Sequence, residues 1–225
     1  MQPIQVKSLR ERVTNILRTA IVIGELKPGQ ELVSTELANQ IGVSQATLRD
    51  AIYILSVEGL VDTVAYHVPI VKKLSKKNIE DLFSVRNMLE VFAIQQVILT
   101  KQTSTTVQEL YKICKEMEKA AEQDSLKGVN DSDNKFHNAL IKHSSNQLLE
   151  VIWNMVALRV QQVMSLRNQK IGDLTQIVQN HLEITQVIES EDIEKATELI
   201  SAHVIFVADV IADNWDEENI EQNSD

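Results

Sequence analysis

All three prolines of this chain, Pro3, Pro28 and Pro69, lie in its first 70 residues, as do four of its six glycines, Gly24, Gly29, Gly42 and Gly59. From Val71 to Asp225 there is no proline, and only Gly128 and Gly172 interrupt the run. Proline and glycine are the strongest breakers of regular structure, so the N-terminal region must turn often while the rest is free to form long helices. The junction is expected at Lys72–Ser75, with Ser75 as a helix N-cap. Three segments follow: residues 1–74, residues 75–213, and an acidic tail over residues 214–225 that is expected to be disordered.

Within the first segment, Leu9, Val13, Ile16, Leu17, Ala20 and Ile21 recur at helical spacing and stop at Gly24. A turn at Pro28-Gly29 follows. Helices are predicted over about Ser34–Ile41 and Gln45–Glu58, then two extended runs, Leu60–Val64 and Val68–Val71, around Ala65-Tyr66-His67. In the second segment the spacing predicts six helices, over about 75–100, 104–124, 130–143, 145–168, 173–189 and 192–213, each break offering a Ser, Thr or Asp cap. The fold class is therefore mainly α: an N-terminal winged helix-turn-helix followed by an all-helical antiparallel bundle.

Composition bounds the setting. Apolar residues make up 44% of the chain, enough for a sizeable core. No uninterrupted stretch reaches the roughly 18 apolar residues of a membrane span. Met1 to Arg12 is polar, without the apolar core of a signal peptide, so a cytoplasmic location away from membranes is expected. The single cysteine, Cys114, sits in a helical apolar pattern with Leu110, Ile113 and Met117 and reads as a small core residue. The net charge of −10 is uneven: residues 1–75 carry eight basic and seven acidic side chains, and the excess acid lies beyond them. The first segment is thus near neutral, which is weak electrostatics for a nucleic-acid binder.

Ser34 to Ile52 nevertheless has the requirements of a helix-turn-helix. Ala38 is small enough for two helices to cross, Gly42 tolerates the left-handed backbone of the turn, and Leu37, Ile41, Val43, Leu48 and Ala51 clamp one side. Ser44 can cap the second helix, whose first turn then presents Gln45, Thr47 and Arg49 to a major groove. Arg49 suits phosphate or guanine, and Gln45 suits adenine. An ordinary helical hairpin fits the same pattern.

Residues 8–74 resemble the winged-helix domain of the GntR superfamily. The landmarks are Leu17, Ile21, Gly24 and Pro28-Gly29, then Glu36-Leu37-Ala38, Gly42-Val43-Ser44, Leu48-Arg49-Asp50-Ala51, and Leu55 with Gly59-Leu60-Val61, in matching register. The resemblance implies that Thr35, Ser44, Gln45, Thr47 and Arg49 face DNA, with Tyr66 and His67 at the wing tip. Arginines of the family pattern are replaced by Thr35 in the first helix and Gln45 in the second, Thr47 stands where the family usually has proline, and the wing reads Thr63-Val-Ala-Tyr-His-Val-Pro without Gly or Arg. Its DNA preference is expected to differ from the family norm.

Three of the five histidines lie on apolar helix faces. His137 follows Asp133 by four residues, so both project from one face beside Phe136, Leu140 and Ile141. His181 belongs to the stripe Ile177, Ile184, Ile188, and His203 to Ala196, Ile200, Val207, Val210. Buried ionisable groups must be paired or bind a metal. One such histidine reads as a satisfied core residue; three with a carboxylate in register are better explained by convergence on a divalent transition metal. His143, near a helix end, is expected at the surface.

Residues 76–212 resemble the FadR-like branch of the same superfamily, with its helical FCD effector domain. The shared pattern is Asp133-x-x-Phe136-His137 with two later histidines about 22 residues apart, His181 and His203. The resemblance implies a metal held by Asp133, His137, His181 and His203, with zinc or nickel favoured for imidazole ligands. It also matches Arg86 and Glu90 to an Arg-x-x-x-Glu motif, making Arg86 a candidate for an effector carboxylate; an Arg86–Glu90 salt bridge is the other reading. Arg159 is a further candidate of that kind.

The expectation is a homodimeric, non-enzymatic regulator that binds a double-stranded operator and answers to a small carboxylate effector. A metal-dependent enzyme built on the bundle is the first rival. It lacks a separate general base or nucleophile, and it leaves the helix-turn-helix unexplained. The second rival is a sensor that has lost specific DNA binding, suggested by the replaced arginines.

Overall fold

The computed structural model describes residues 8–166, 173–213 and 215. The chain divides into two compact units, one ending at Ser75 and the other spanning Lys76–Trp215. The acidic tail apart from Trp215, and the predicted break at Gly172, lie outside the described residues.

The first unit is built from α1 (Leu9–Val22), α2 (Ser34–Ile41), α3 (Gln45–Val57), β1 (Val61–Asp62) and β2 (Ile70–Val71). α1 begins with a reciprocal cap. The Glu11 amide donates to Ser8 Oγ at 3.2 Å and the Ser8 amide to Glu11 Oε2 at 2.9 Å, satisfying two otherwise orphaned donors. Val13, Leu17 and Ile21 of α1 close over Leu48, Ala51, Ile52 and Leu55 of α3, with Leu32, Leu60 and Val71 sealing the core. Arg18 locks α1 to the end of α3 through a two-pronged contact, Nε to Glu58 Oε2 at 2.8 Å and Nη2 to Oε1 at 2.5 Å. Ala38 is buried, as the crossing of α2 and α3 requires. Gly42 takes φ 76° and ends α2, its amide donating to the Ala38 carbonyl at 2.9 Å. A Cβ at Gly42 would meet nothing within 4 Å among the described residues, so glycine is needed there for its backbone angle and not for space.

The wing ladder is shorter than the sequence predicts. β1 and β2 pair antiparallel with Val61 opposite Val71, and Glu31 bridges to Ile70 as a third short edge. Residues 63–68 leave the ladder because they have no core to cover. Val64, Tyr66 and Val68 are exposed, and Tyr66 takes φ 66° in the tight turn.

The second unit contains α4 (Lys76–Leu99), α5 (Thr103–Glu122), α6 (Leu126–His143), α7 (Gln147–Leu166), α8 (Leu174–Glu189) and α9 (Ile193–Asp213). They form an antiparallel bundle. α4 lies against α6, α7 and α9, and α5 against α6 and α8. α4 is long enough, and apolar enough at mean hydropathy 1.3 over 18 residues, to match a membrane span by composition alone. It is not an uninterrupted apolar run, because Glu80, Asp81, Arg86 and Glu90 lie within it. Its buried side chains include Arg86 and Glu90 beside Phe83, Ala93, Ile94 and Val97, and it packs as a core helix.

One break in the bundle is also corrected. α6 begins at Leu126, four residues before the predicted start, and Gly128 lies inside its first turn. Ser125 caps the helix, accepting from the Gly128 amide at 3.2 Å. A Cβ at Gly128 would come within 2.8 Å of the Ala120 Cβ, so this glycine is a close-approach point for α5 and not a loop residue. The later caps are Asn146, Asp173 and Asp192, which accept from the amides of Leu149, Thr175 and Lys195 at 2.9–3.1 Å. Cys114 is buried and unpaired by disulfide.

Candidate functional site

The polar cluster begins on α6, where helical spacing stacks Asp133 and His137 on one buried face. α8 and α9 bring His181 and His203 to the same place. One ligand atom from each of the four residues lies within 4.8 Å of all the others. The imidazoles pack edge to face or stacked, with centroids 4.7–5.6 Å apart, and Phe136 closes one side with its centroid 4.7 Å from that of His181.

The hydrogen bonds decide which atoms face inward. His137 meets Glu90 Oε2 through Nδ1 at 2.5 Å, and His181 meets the Ile177 carbonyl through Nδ1 at 2.7 Å. Both Nε2 atoms then point to Asp133 Oδ1, at 3.4 Å and 3.1 Å, without hydrogen-bonding geometry. Both ring nitrogens of His203 are shielded from solvent and lack a hydrogen-bond partner among the described residues. Four unpartnered buried nitrogens around one carboxylate would be costly as a purely structural arrangement, at about 1–3 kcal/mol each. They fit a divalent cation, which would accept one lone pair from each of the three imidazoles and tolerate the carboxylate.

Electrostatics agree. Burial pushes the Asp133 carboxyl up, but His137 and His181 outweigh it and hold it well below the usual range. Burial likewise raises Glu90, and the charges of His137 and Arg86 override it, leaving Glu90 at about 2. For His137, burial is outweighed by Glu90, so its pKa is raised. His203 has no such support. Burial and the neighbouring His181 and His137 push it well below its ordinary value, keeping a neutral ring ready to donate a lone pair.

A cavity of about 90 Å³ adjoins the cluster. Asp133 and His203 form part of its wall, Arg86, Asn130 and Asn180 add polar groups, and Phe206 and Val207 add apolar surface. Arg86 is 2% exposed and its Nε donates to Glu90 Oε1 at 2.6 Å. The salt bridge and the cavity position therefore coexist in one side chain. Arg159 is half-buried on α7 and is not among the residues lining this cavity. His143 departs from its expected place at the surface: it is partly buried, with Nε2 2.8 Å from Glu109 Oε2, because α5 runs alongside the end of α6. Sequence reasoning paired Glu90 only with Arg86 and missed its contact to His137. The available signal was a carboxylate in the otherwise apolar stripe Phe83, Ala93, Ile94, Val97.

In the first unit, Thr35, Gln45 and Arg49 are exposed on α2 and α3. Ser44 caps α3, accepting from the Thr47 amide at 3.1 Å, and the two hydroxyls lie 2.8 Å apart, so part of their hydrogen-bonding capacity is used in the cap. Tyr66 is fully exposed at the wing tip, and His67 beside it contacts the Ala65 carbonyl through Nδ1 at 3.0 Å.

A family model described as "Bacterial regulatory proteins, gntR family" matches residues 9–65, and the FCD domain model matches residues 81–206, more than half of the chain. The chain belongs to the GntR family, in the branch that carries an FCD domain. It is a DNA-binding transcription regulator of that type. Among its relatives, the gluconate operon transcriptional repressor of Bacillus subtilis (strain 168) is 26% identical over 211 residues, covering 91% of this chain and 85% of the repressor. The solved structure of Escherichia coli McbR/YncC superposes with a TM-score of 0.78 at 19% identity, over 94% of this chain and all of that one. The metal-free FCD domain of TM0439 matches 63% of this chain and 96% of its own, with a TM-score of 0.53 at 23% identity. At these identities the structural likenesses bear on the fold alone.

Proposed function

We propose that this GntR-family regulator holds a divalent transition metal, zinc or nickel, between Asp133, His137, His181 and His203, and that a small carboxylate effector in the adjoining cavity modulates operator binding. The observation that carries the reading is the convergence of four ligand atoms from α6, α8 and α9 within 4.8 Å, with nitrogens unpartnered and a cavity at their edge. When bound, the metal would supply a Lewis-acidic centre that leaves room for an effector oxygen. Arg86 would orient the carboxylate by its guanidinium, while Asn130 and Asn180 offer neutral hydrogen bonds. Filling the cavity would shift the packing of α8 and α9, and so bias the arrangement of the DNA-binding units. The relative that controls a gluconate operon supports a carboxylate, since gluconate is one.

Arg49 and Gln45 are the proposed base or phosphate contacts from α3, Thr35, Ser44 and Thr47 flank them, and Tyr66 and His67 reach from the wing. We read the functional unit as a cytoplasmic homodimer. Met88 and Phe92 on α4 and Leu148, Val151, Ile152 and Met155 on α7 are exposed apolar side chains at helical spacing on two helices that pack together. A contiguous exposed apolar face marks an interaction site, here read as the contact with a second copy. The test is elemental analysis of the purified chain, with gel shifts on its own upstream DNA before and after chelation. About one ion per chain and metal-dependent binding are expected; metal-free protein that takes up none from solution refutes the metal role and leaves the DNA-binding assignment standing.

A further inference from the structure

Glu90 is held from two sides. Arg86 Nε–H donates to its Oε1 at 2.6 Å, and His137 Nδ1 contacts its Oε2 at 2.5 Å. All three side chains are at most 2% exposed. An arginine can only donate, and an ionised carboxylate can only accept. Glu90 therefore accepts on both oxygens, and the proton of His137 resides on Nδ1. The lone pair is left on Nε2, the atom that faces Asp133 and the other histidines.

We infer that Glu90 is a positioning residue that selects the metal-binding tautomer of His137, and that Arg86 enforces the selection by occupying the other carboxylate oxygen. The inference rests on the metal reading above and adds a chain of three residues linking the cavity to the ion. An anion seated on Arg86 would be felt at the metal through Glu90 without touching it. Metal-ligating histidines are commonly held in this way by an outer carboxylate; what is particular here is the arginine on its far side.

The two-sided arrangement makes an unusual prediction for Glu90→Gln. An amide has one oxygen and one NH2 group. The charged Arg86 takes the oxygen, so the NH2 faces His137 Nδ1, which must accept. The ring proton moves to Nε2 and blocks the lone pair that the metal needs. In the double variant Arg86→Met, Glu90→Gln, the amide oxygen is free to turn to His137, and the original tautomer returns.

The probe is Co²⁺ alone, titrated into the full chain against a chromophoric chelator, with the visible d–d bands reporting ligand geometry. Glu90→Gln is expected to bind Co²⁺ about 10–100-fold more weakly than the wild type, and the double variant to recover most of that loss with wild-type-like bands. Co²⁺ affinity unchanged in Glu90→Gln overturns the inference and leaves the metal reading intact. A double variant as weak as the single one also overturns it, since Glu90 would then act by charge or packing. A wild-type chain that binds no Co²⁺ overturns both. Should the variants fail to fold, the ring-nitrogen NMR spectrum of Zn²⁺-loaded wild type decides: a proton retained on His137 Nδ1 supports the assignment, and a proton on Nε2 with Nδ1 deprotonated refutes it.

Discussion

Replacing His203 with leucine separates the cost of the site from its use. Both ring nitrogens of His203 are shielded from solvent without a hydrogen-bond partner among the described residues. An unsatisfied buried polar atom costs about 1–3 kcal/mol, and leucine is also a strong helix former. With some relaxation of the site, His203→Leu is expected to stabilise the metal-free protein by about 1–2 kcal/mol, or roughly 3–6 °C in Tm for a chain of this size. Metal reverses the order. A ligand at a hundred times its Kd stabilises the native state by about 2.7 kcal/mol, and the variant has lost one of its donors. Wild type should therefore melt above the variant in Zn²⁺ and below it in EDTA.

The pH dependence has a definite sign. The folded-state pKa of His203 is depressed, so below about 6.5 the unfolded chain takes up a proton that the folded one refuses. The His203 contribution to the stability of the metal-free wild type falls as pH falls through that range, and the gap to the variant widens between about pH 7 and pH 5. Tryptophan fluorescence is the natural assay, because Trp153 and Trp215, the two tryptophans of the chain, both belong to the helical unit. A variant less stable than wild type in EDTA at neutral pH would refute the argument that these nitrogens are orphaned.

Gly128→Ala is expected to destabilise by about 1–3 kcal/mol through the 2.8 Å approach to the Ala120 Cβ, against a helix-propensity gain of about 1 kcal/mol; in urea melts, adding Ala120→Gly should leave the pair less destabilised than the sum of the single changes. Phe92→Glu on α4 should convert a dimer to a monomer by light scattering with helical content unchanged, and a variant of wild-type mass would move the interface elsewhere. Arg49→Ala should lower specific operator affinity by about 1–3 kcal/mol in a gel shift without changing the melt. Gln45→Arg should tighten binding and steepen its salt dependence, because it adds a cation near the phosphates.

Local chemistry was enough to read the two-part architecture. Breakers confined to residues 1–70, a left-handed glycine at position 42 flanked by Ala38 and Ser44, and helical spacing beyond Ser75 are properties of short stretches, and short stretches carry them without knowledge of the rest. The i, i+4 pair Asp133 and His137 was legible for the same reason, and pattern matching added His181 and His203. Gly128 was misread because a glycine looks alike in a loop and in a tight helix crossing; only the presence of Ala120 opposite tells them apart. The wing strands were read too long because extended propensity does not reveal whether a core lies beneath them.

Tertiary structure alone decided which nitrogen of His137 and of His181 faces inward. That depends on Glu90, 47 residues from His137 along the chain, and on the Ile177 carbonyl. It also placed Arg86 at the cavity wall while leaving Arg159 out of it. A sequence names the groups that can donate and accept. Which of them meet depends on how six helices pack, and the packing is set by the apolar faces they share and not by the polar groups themselves.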